Sequence, residues 1–251
     1  MKNKNWWEEF FEESFADFFL ERDEKNLEDS KNFLIDALSL KKDMTLFDQC
    51  SGLGNVSHAL SRSGVRTIGV EQSREYVRIA KEVADKEKLP CEFVRGDALT
   101  FLPSVKCDAA INWYTSFGYS MDDETNLEML RRDYESLKDG GYFALDFHNL
   151  ARVFGQPAST KLVRKNKKDE ECVITRVSTF NLEEGSYLSE WTYEYSDGTV
   201  KKRQGTTRIY LPHQLKSMLA QLGFGNIIFY GNLDKSPLTV DSPRCIVIAQ
   251  K

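Results

Sequence analysis

The chain has 251 residues, which suits one domain or one domain with an insertion and is enough to bury a large core. Its 34 basic and 39 acidic residues give a formal charge of −5, which argues against nucleic acid or an anionic membrane as a partner. The 5 cysteines are dispersed and form no Cys-x-x-Cys pair, so we expect no disulfide framework, no bound metal and a reducing cytoplasmic location. No apolar run approaches the ~18 residues of a membrane span, so no membrane partner is expected.

Aromatic residues at helical spacing mark the start of the chain. Within residues 6–20 they recur on one face, opposite a face of glutamates, which predicts an amphipathic helix. A second helix is predicted to start near Asp29 or Ser30. We interpret residues 1–40 as an N-terminal helical segment that either packs on the body of the fold or forms a lid over a bound ligand.

From Thr45 onward, short apolar runs alternate with amphipathic patterns. Apolar runs separated by helices of about ten or more residues are typical of a parallel sheet with crossover helices. The predicted strands are 45–50, 66–71, 91–95, 107–112 and 142–147, and the predicted helices lie near 55–63, 74–87 and 123–138.

The pattern then changes to runs rich in Thr, Val, Ile, Tyr and Trp. Residues 172–180, 186–195 and 199–210 are predicted antiparallel strands, and the pair Asp197-Gly198 is a hairpin signal between two of them. A helix from Pro212 to Leu222 and strands 226–231 and 244–249 follow. The expected fold is α/β: a doubly wound, mostly parallel seven-stranded Rossmann-like sheet with a small antiparallel β insertion after strand 5. The predicted core is 41–150 with 212–251, and the predicted insertion is 151–211.

Two carboxylates end two successive predicted strands. Asp48 precedes the loop Gly52-Leu-Gly54, and Glu71 ends the next strand. Glycines let the backbone approach a ligand, and an acid at the following strand end can accept hydrogen bonds from ribose hydroxyls. A carboxylate at Asp48 would repel a pyrophosphate, whereas it suits a ligand with an ammonium and a sulfonium. The pattern therefore favours S-adenosylmethionine over a dinucleotide.

The next two strand ends fit the same ligand. Asp97 follows the third strand, where a carboxylate can accept from the adenine amino group. Asn112 ends the fourth strand and begins a polar and aromatic stretch that reaches Gly118. Four strand ends are thus expected to meet in one crevice, beside the position of a reactive methyl group.

With these residues, the chain resembles the class I S-adenosylmethionine-dependent methyltransferases over roughly residues 40–150, and 212–250 resembles the end of that fold. The motif Asp48-Gln-Cys-Ser-Gly-Leu-Gly54 looks like that family's Asp-x-x-Cys-Gly-x-Gly loop, with Cys50 where Gly or Ala is commoner. Asn112-Trp-Tyr-Thr-Ser-Phe-Gly-Tyr119 is similar to small-molecule members, among which sugar N-methyltransferases also carry an antiparallel insertion. The resemblance implies a cofactor pocket, formed partly by backbone atoms, of Asp48, Cys50, Gly52, Gly54, Glu71, Gln72, Asp97, Ala98 and Asn112.

Methyl transfer from a sulfonium is a direct displacement, so the protein mainly aligns the acceptor and excludes water. His148 is favoured as proton acceptor because an ordinary histidine pKa of ~6.5 suits that role near neutrality. Tyr119 is a second catalytic candidate. The predicted acceptor contacts are Trp113, Tyr114, Phe117 and Asn149.

The leading hypothesis is an enzyme that methylates a nitrogen or oxygen atom of a small molecule. One alternative is an RNA methyltransferase that docks through basic clusters of the insertion, and another is a non-catalytic binding protein on the same fold. The insertion is expected to cap the pocket, to pair two copies of the chain in a homodimer, or both. The basic clusters comprise Lys161, Arg164, Lys165, Lys167 and Lys168, and Lys201, Lys202 and Arg203.

Overall fold

A computed structural model describes residues 6–11, Phe18, 24–165 and 169–251. The described residues divide into two compact units. The sheet unit contains 24–117, 122–153 and 211–251, and the insert unit contains the described residues up to Phe18, 118–121 and those between 154 and 210. Much of the predicted first helix, 6–20, lies outside the described residues, and so do Lys167 and Lys168.

Short strands dominate both units. In chain order they are β1 (Thr45–Gln49), β2 (Arg66–Glu71), β3 (Cys91–Arg95), β4 (Cys107–Asn112), β5 (Leu137–Phe147), β6 (Ser159–Lys165), β7 (Glu171–Asn181), β8 (Ser186–Tyr195), β9 (Val200–Arg208), β10 (Gly225–Tyr230) and β11 (Cys245–Gln250).

Capping residues are recognisable at the ends of three described helices. Ser73 and Asp122 each accept a hydrogen bond from a backbone N–H of the first turn that follows, and Gly223 ends the last helix with φ of 104°. The helices are α1 (Trp6–Phe10), α2 (Glu24–Ala37), α3 (Asn55–Arg62), α4 (Arg74–Glu87), α5 (Asp123–Ser136), α6 (Leu150–Phe154) and α7 (Pro212–Leu222).

The sheet unit confirms the predicted α/β fold with seven strands, in the order β10-β11-β5-β4-β1-β2-β3. Strands β1 to β5 pair in parallel, and β11 runs antiparallel to β5. Because the chain moves outward through β2 and β3 and then returns to β4, the strand order reverses between β1 and β4. In open α/β sheets, ligands bind beyond the carboxyl ends of the strands at such a reversal. The topology therefore places the candidate crevice at the ends of β1 and β4.

The insert unit is built on a four-stranded antiparallel sheet of order β6-β7-β8-β9. The prediction of only three antiparallel strands in the insertion was wrong, because β6 (Ser159–Lys165) pairs along its whole length with β7. Six of its seven residues are exposed and three are Lys or Arg, so it lacks the apolar alternation that marks a half-buried strand. Basic, exposed edge strands of this kind also discourage pairing with other chains.

Two element boundaries also differ from their predicted positions. Helix α2 starts at Glu24, ahead of Asp29 and Ser30, because polar first-turn residues gave no apolar signal there. Strand β5 starts at Leu137, so the pair Gly140-Gly141 lies within a strand whose register with β4 shifts. Glycines inside strands often accompany such irregularities.

Asn149, which follows β5, fixes the loop between β10 and β11. Its buried Nδ2 lies 2.9 Å from the Thr239 carbonyl oxygen, 3.4 Å from that of Val240 and 2.8 Å from that of Ser242. A buried amide that bridges three carbonyls holds a loop with no regular structure of its own against the sheet.

We expect Asn149→Ala to lower the free energy of unfolding by roughly 1–3 kcal/mol, because it removes the side-chain donor that bonds the carbonyl of the buried Ser242. Chemical denaturation checks this. Asn232→Ala, on the same connection and outside this contact, serves as the control. Equal stability of the two variants would contradict a stabilising role for the Asn149 hydrogen bonds.

Candidate cofactor and acceptor site

The end of β1 carries a buried carboxylate. Asp48 is 3 % exposed, and its Oδ2 accepts a hydrogen bond of 2.7 Å from Ser57 Oγ on α3. Burial raises the pKa of Asp48 to about 7, against the Ser57 hydrogen bond, which lowers it; the nearby Glu71 carboxylate raises it further. One neutral hydrogen bond compensates this acid poorly, so a cation in the crevice would be attracted to it.

Glu71 at the end of β2 ties the two strand ends together. Its Oε2 accepts from the Gly52 backbone N–H at 3.1 Å, and its Oε1 accepts from that of Ser73 at 2.8 Å. Burial raises the pKa of Glu71, opposed by these backbone hydrogen bonds. A carboxylate has about four lone-pair positions, so this geometry orients Glu71 and leaves capacity for ribose hydroxyls.

The loop between Asp48 and α3 has three residues in the left-handed region. Gly52 has φ of 56° and Gly54 has φ of 74°. A Cβ on Gly54 would lie 2.5 Å from the Phe93 ring, whereas a Cβ on Gly52 would meet nothing within 4 Å. Cys50 takes φ of 60°, which explains why glycine is commoner there. Gly54 is thus needed for packing, while Gly52 opens onto free space that a ligand can approach.

Buried polar atoms without partners cluster near this loop. They are Ser51 Oγ, Asn112 Oδ1 and both carboxylate oxygens of Asp133, as judged among the described residues. Asn112 Nδ2 donates to Gln49 Oε1 at 2.9 Å, which fixes the Asn112 amide. Since buried polar groups are normally hydrogen-bonded, such orphans fit a site that a polar ligand completes.

Asp133 was not identified from the sequence. It lies on α5 and is 0 % exposed; burial, reinforced by the Asp48 carboxylate, raises its pKa well above the usual range. It is one of five acidic residues of this helix, and the predicted helix near 123–138 was assigned no site residue. The signal that could have identified it is its spacing of four from Met129, which puts it on the buried face.

The other predicted cofactor residues lie on the same edge of the sheet. Gln72 is exposed after β2, and Asp97 is exposed after β3, where its Oδ1 accepts from the Leu99 N–H at 2.9 Å. The Ala98 carbonyl accepts from Gln49 Nε2 at 3.4 Å. Burial raises the pKa of the Cys50 thiol well above its usual range, which keeps this thiol neutral.

A cavity of about 250 Å³ lies at the carboxyl end of β5. It is polar on one side, where Asp146 and Arg244 form an ion pair of 2.7 Å with 6 % and 17 % of their side chains exposed. Its lining residues are Tyr114, Thr115, Asp146, Phe147, His148, Pro243 and Arg244. Sequence reasoning missed Arg244, because its partner is 98 positions away.

The wall formed by Tyr114 and Thr115 is strained. Both residues have positive φ, 63° and 61°, which is unusual for an aromatic and a β-branched residue. Their backbone N–H groups donate to Asp146, from Tyr114 to Oδ2 at 3.3 Å and from Thr115 to the carbonyl at 3.1 Å. Backbone strain of this kind persists where surrounding contacts over-determine it, often at functional sites.

The predicted catalytic and acceptor residues lie in different surroundings. His148 and Tyr114 line the cavity, whereas Trp113 and Phe117 are buried in the core. Tyr119 belongs to the insert unit, where its ring centroid is 4.8 Å from that of Trp6. The structure therefore brings together two of these residues, and the roles of all of them stay predictions.

The described part of the chain lacks two features. None of its helices is both long and apolar enough to cross a membrane. No group of three or more His, Cys, Asp or Glu side chains there could hold a metal ion.

The two glycines should respond differently to alanine. We expect Gly54→Ala to destabilise the fold by about 1–3 kcal/mol, through overpacking against Phe93 plus backbone strain. Gly52→Ala should cost only the backbone strain, about 1 kcal/mol, because its Cβ has space. Thermal unfolding of both variants checks the order, and a larger loss at Gly52 would contradict the loop geometry.

Residues 47–141 match the protein family described as "Methyltransferase domain". An uncharacterized methyltransferase of Bacillus cereus is 36% identical over 92 residues. That match covers 36% of this chain, and the chain spans 40% of the length of this curated relative.

Three solved structures share the fold over most of the chain. The CcbJ methyltransferase from Streptomyces caelestis has a TM-score of 0.77 at 15% identity and covers 94% of this chain and 95% of its own. The sugar N-methyltransferase KedS8 from Streptoalloteichus sp ATCC 53650 has a TM-score of 0.73 at 16% identity, with 93% and 89% covered. The S-adenosylmethionine-bound amino pentose methyltransferase CalS10 from Micromonospora echinaspora has a TM-score of 0.67 at 15% identity, with 90% of each chain covered.

The strand order, the two strand-end carboxylates and the glycine loop agree with these matches. Residues 47–141 therefore form a methyltransferase domain, and the chain that carries it has the fold of the S-adenosylmethionine-dependent methyltransferases.

Proposed function

We propose that the whole protein transfers a methyl group from S-adenosylmethionine to a nitrogen or oxygen atom of a small molecule. The observation that carries this proposal is the buried, poorly compensated Asp48 next to the oriented Glu71. A crevice that is acidic in this way attracts a cationic nucleoside and repels a pyrophosphate.

Each part of the cofactor has a matching group in the sheet unit. Glu71 would accept from the ribose hydroxyls, and Asp97 from the adenine amino group. The open backbone at Gly52 and the carboxylate of Asp48 would hold the amino-acid portion with its ammonium. When bound, the cofactor supplies an activated methyl group on a sulfonium.

The cavity after β5 is the proposed acceptor site. His148 lines it and would take the proton that an amine or hydroxyl loses on methylation. The Asp146–Arg244 pair and the strained Tyr114-Thr115 wall would orient the acceptor. Rigid walls favour a direct displacement because they hold the nucleophile in line with the methyl group.

A small molecule is favoured over RNA as the acceptor. The cavity of about 250 Å³ suits a small ligand, and two solved structures with the same fold are described as sugar or amino pentose methyltransferases. The basic residues of β6 (Lys161, Arg164 and Lys165) are exposed and spread along an edge strand. This is the usual arrangement of solvated surface charges. Transfer to a metabolite pool but not to RNA at low salt would agree with this proposal.

Loss of the β1 carboxylate should weaken cofactor binding. We expect Asp48→Asn to reduce the affinity for S-adenosylmethionine by roughly 1–3 kcal/mol, since a charge-assisted contact is lost. Isothermal titration measures this affinity. Asp108→Asn serves as the control, because Asp108 lies at the start of β4, whereas the crevice is at the carboxyl ends of the strands. An Asp48→Asn variant that binds as tightly as the parent would place the cofactor elsewhere.

Cofactor affinity should also depend on pH through Asp48. With a pKa of about 7, the carboxylate is mostly neutral at pH ~6 and half ionised at pH ~7, so affinity should rise about five-fold between them. Asp48→Asn should remove this rise. Titrations at the two pH values check both, and a parent protein with flat affinity would contradict an Asp48 contact.

The stability of the ligand-free protein should follow the opposite trend. Because the folded pKa of about 7 exceeds the ordinary 3.8, the contribution of Asp48 is full below pH 3.8 and is lost as pH rises through 7. Chemical denaturation of the parent and of Asp48→Asn at pH ~5 and pH ~8 checks this trend. A stability difference between the two proteins that stays constant over this range would contradict it.

A further inference from the structure

The inserted sheet has two chemically different faces. Side chains alternate along strands, and directly paired residues share a face. The face that carries Arg176 on β7 therefore also carries Trp191 on β8 and Arg203 on β9, which pair in one row. We call this the aromatic face. The acidic residues of β7 and β8, namely Glu171, Glu190 and Glu194, all lie on the opposite face.

Arg176 is held among aromatic rings on this face. Its guanidinium carbon lies 5.5 Å from the Tyr187 ring centroid and 5.6 Å from that of Trp191. Its Nε is buried and has no hydrogen-bond partner among the described residues. Burial lowers the pKa of Arg176, and no described acid pairs with it to oppose this effect.

This arrangement leaves a partly buried charge without an ion pair among the described residues. A guanidinium that is removed from water normally forms an ion pair, because desolvation of a charge is expensive. Cation–π contact with the two rings offsets part of the desolvation cost. It provides no acceptor for the in-plane N–H donors of the guanidinium. The donors that remain are those with which arginine binds carboxylates and phosphates in a fork.

The neighbouring side chains keep the two rings in place. Trp191 Nε1 donates to Ser189 Oγ at 2.7 Å, and the hydroxyls of Ser178 and Tyr187 are 3.2 Å apart. Both rings are thereby fixed by hydrogen bonds of their polar ends, so the guanidinium between them has a defined orientation. Fixed donors bind a ligand without a large ordering cost.

We propose that Arg176 is the centre of an anion-binding site on the aromatic face, which takes the carboxylate or phosphate group of a small molecule. The site depends on neither the cofactor crevice nor the methyl transfer. The guanidinium of Arg176 would bind the anion reversibly, through two charge-assisted hydrogen bonds.

The test follows the Nε–H resonance of Arg176 by NMR in the full chain, identified by its absence from Arg176→Gln. Sodium phosphate and sodium acetate are titrated separately, with sodium chloride at matched ionic strength as the reference. We expect a saturable shift with phosphate, acetate or both, and none with chloride; the more effective anion identifies the group. Arg176→Gln should bind that anion about ten-fold or more weakly. Lys202→Gln, which removes a charge from the opposite face of the same sheet, should bind it like the parent.

Thermal unfolding separates binding from a purely structural role. An anion site predicts that Arg176→Gln is as stable as the parent or more stable, because an unpaired charge is removed. A resonance unaffected by both anions, or equal weakening in Lys202→Gln, would overturn the proposal. So would an Arg176→Gln variant that is less stable while phosphate and acetate leave the parent's melting temperature unchanged. S-adenosylmethionine titration of the same variants reports separately on the proposed methyl transfer.

Discussion

The proposed cofactor site in the sheet unit depends on two buried acids, Asp48 at the end of β1 and Asp133 on α5. Asp48 is almost fully buried with one hydroxyl donor, and Asp133 is fully buried with none among the described residues. Burial raises the pKa of both carboxyls; the Glu71 carboxylate raises the pKa of Asp48 further, and the Asp48 carboxylate raises that of Asp133. A cation bound here would stabilise the ionised form of Asp48, which the protein alone stabilises poorly. In the proposed function that attraction, rather than the glycine loop, would distinguish a sulfonium nucleoside from a dinucleotide.

Backbone strain lies at the same edge of the sheet. Cys50 after β1 and the pair Tyr114-Thr115 after β4 adopt positive φ without being glycine. Such residues cost of order 1–3 kcal/mol each and persist only where neighbouring contacts fix them. Those contacts are visible for Tyr114 and Thr115, whose N–H groups both donate to Asp146. The ends of the two strands at the sheet reversal are therefore rigid, which suits a site that aligns two reactants.

Features whose sequence signal is local could be predicted, and features that depend on contacts between distant residues could not. Strands β1 to β4 and the acids Asp48 and Glu71 were predicted because their apolar runs and turn residues are contiguous. Strand β6 was missed because an exposed edge strand buries too little to show alternation. Arg244 could not be paired with Asp146, since only the antiparallel register of β11 and β5 brings them together. Local patterns thus located the strand-end acids of the proposed cofactor site, whereas the proposed acceptor cavity depends on tertiary pairing.

This division also limits what the family match conveys. The matched residues, 47–141, contain Asp48, Glu71 and the glycine loop, but end before Asp146, His148 and Arg244. The proposed acceptor cavity is therefore built mostly from residues outside the match, and so is the Arg176 cluster of the insert unit. The proposed cofactor residues Asp48 and Glu71 therefore lie within the matched segment. The proposed choice of acceptor rests instead on the side chains of this chain's own cavity.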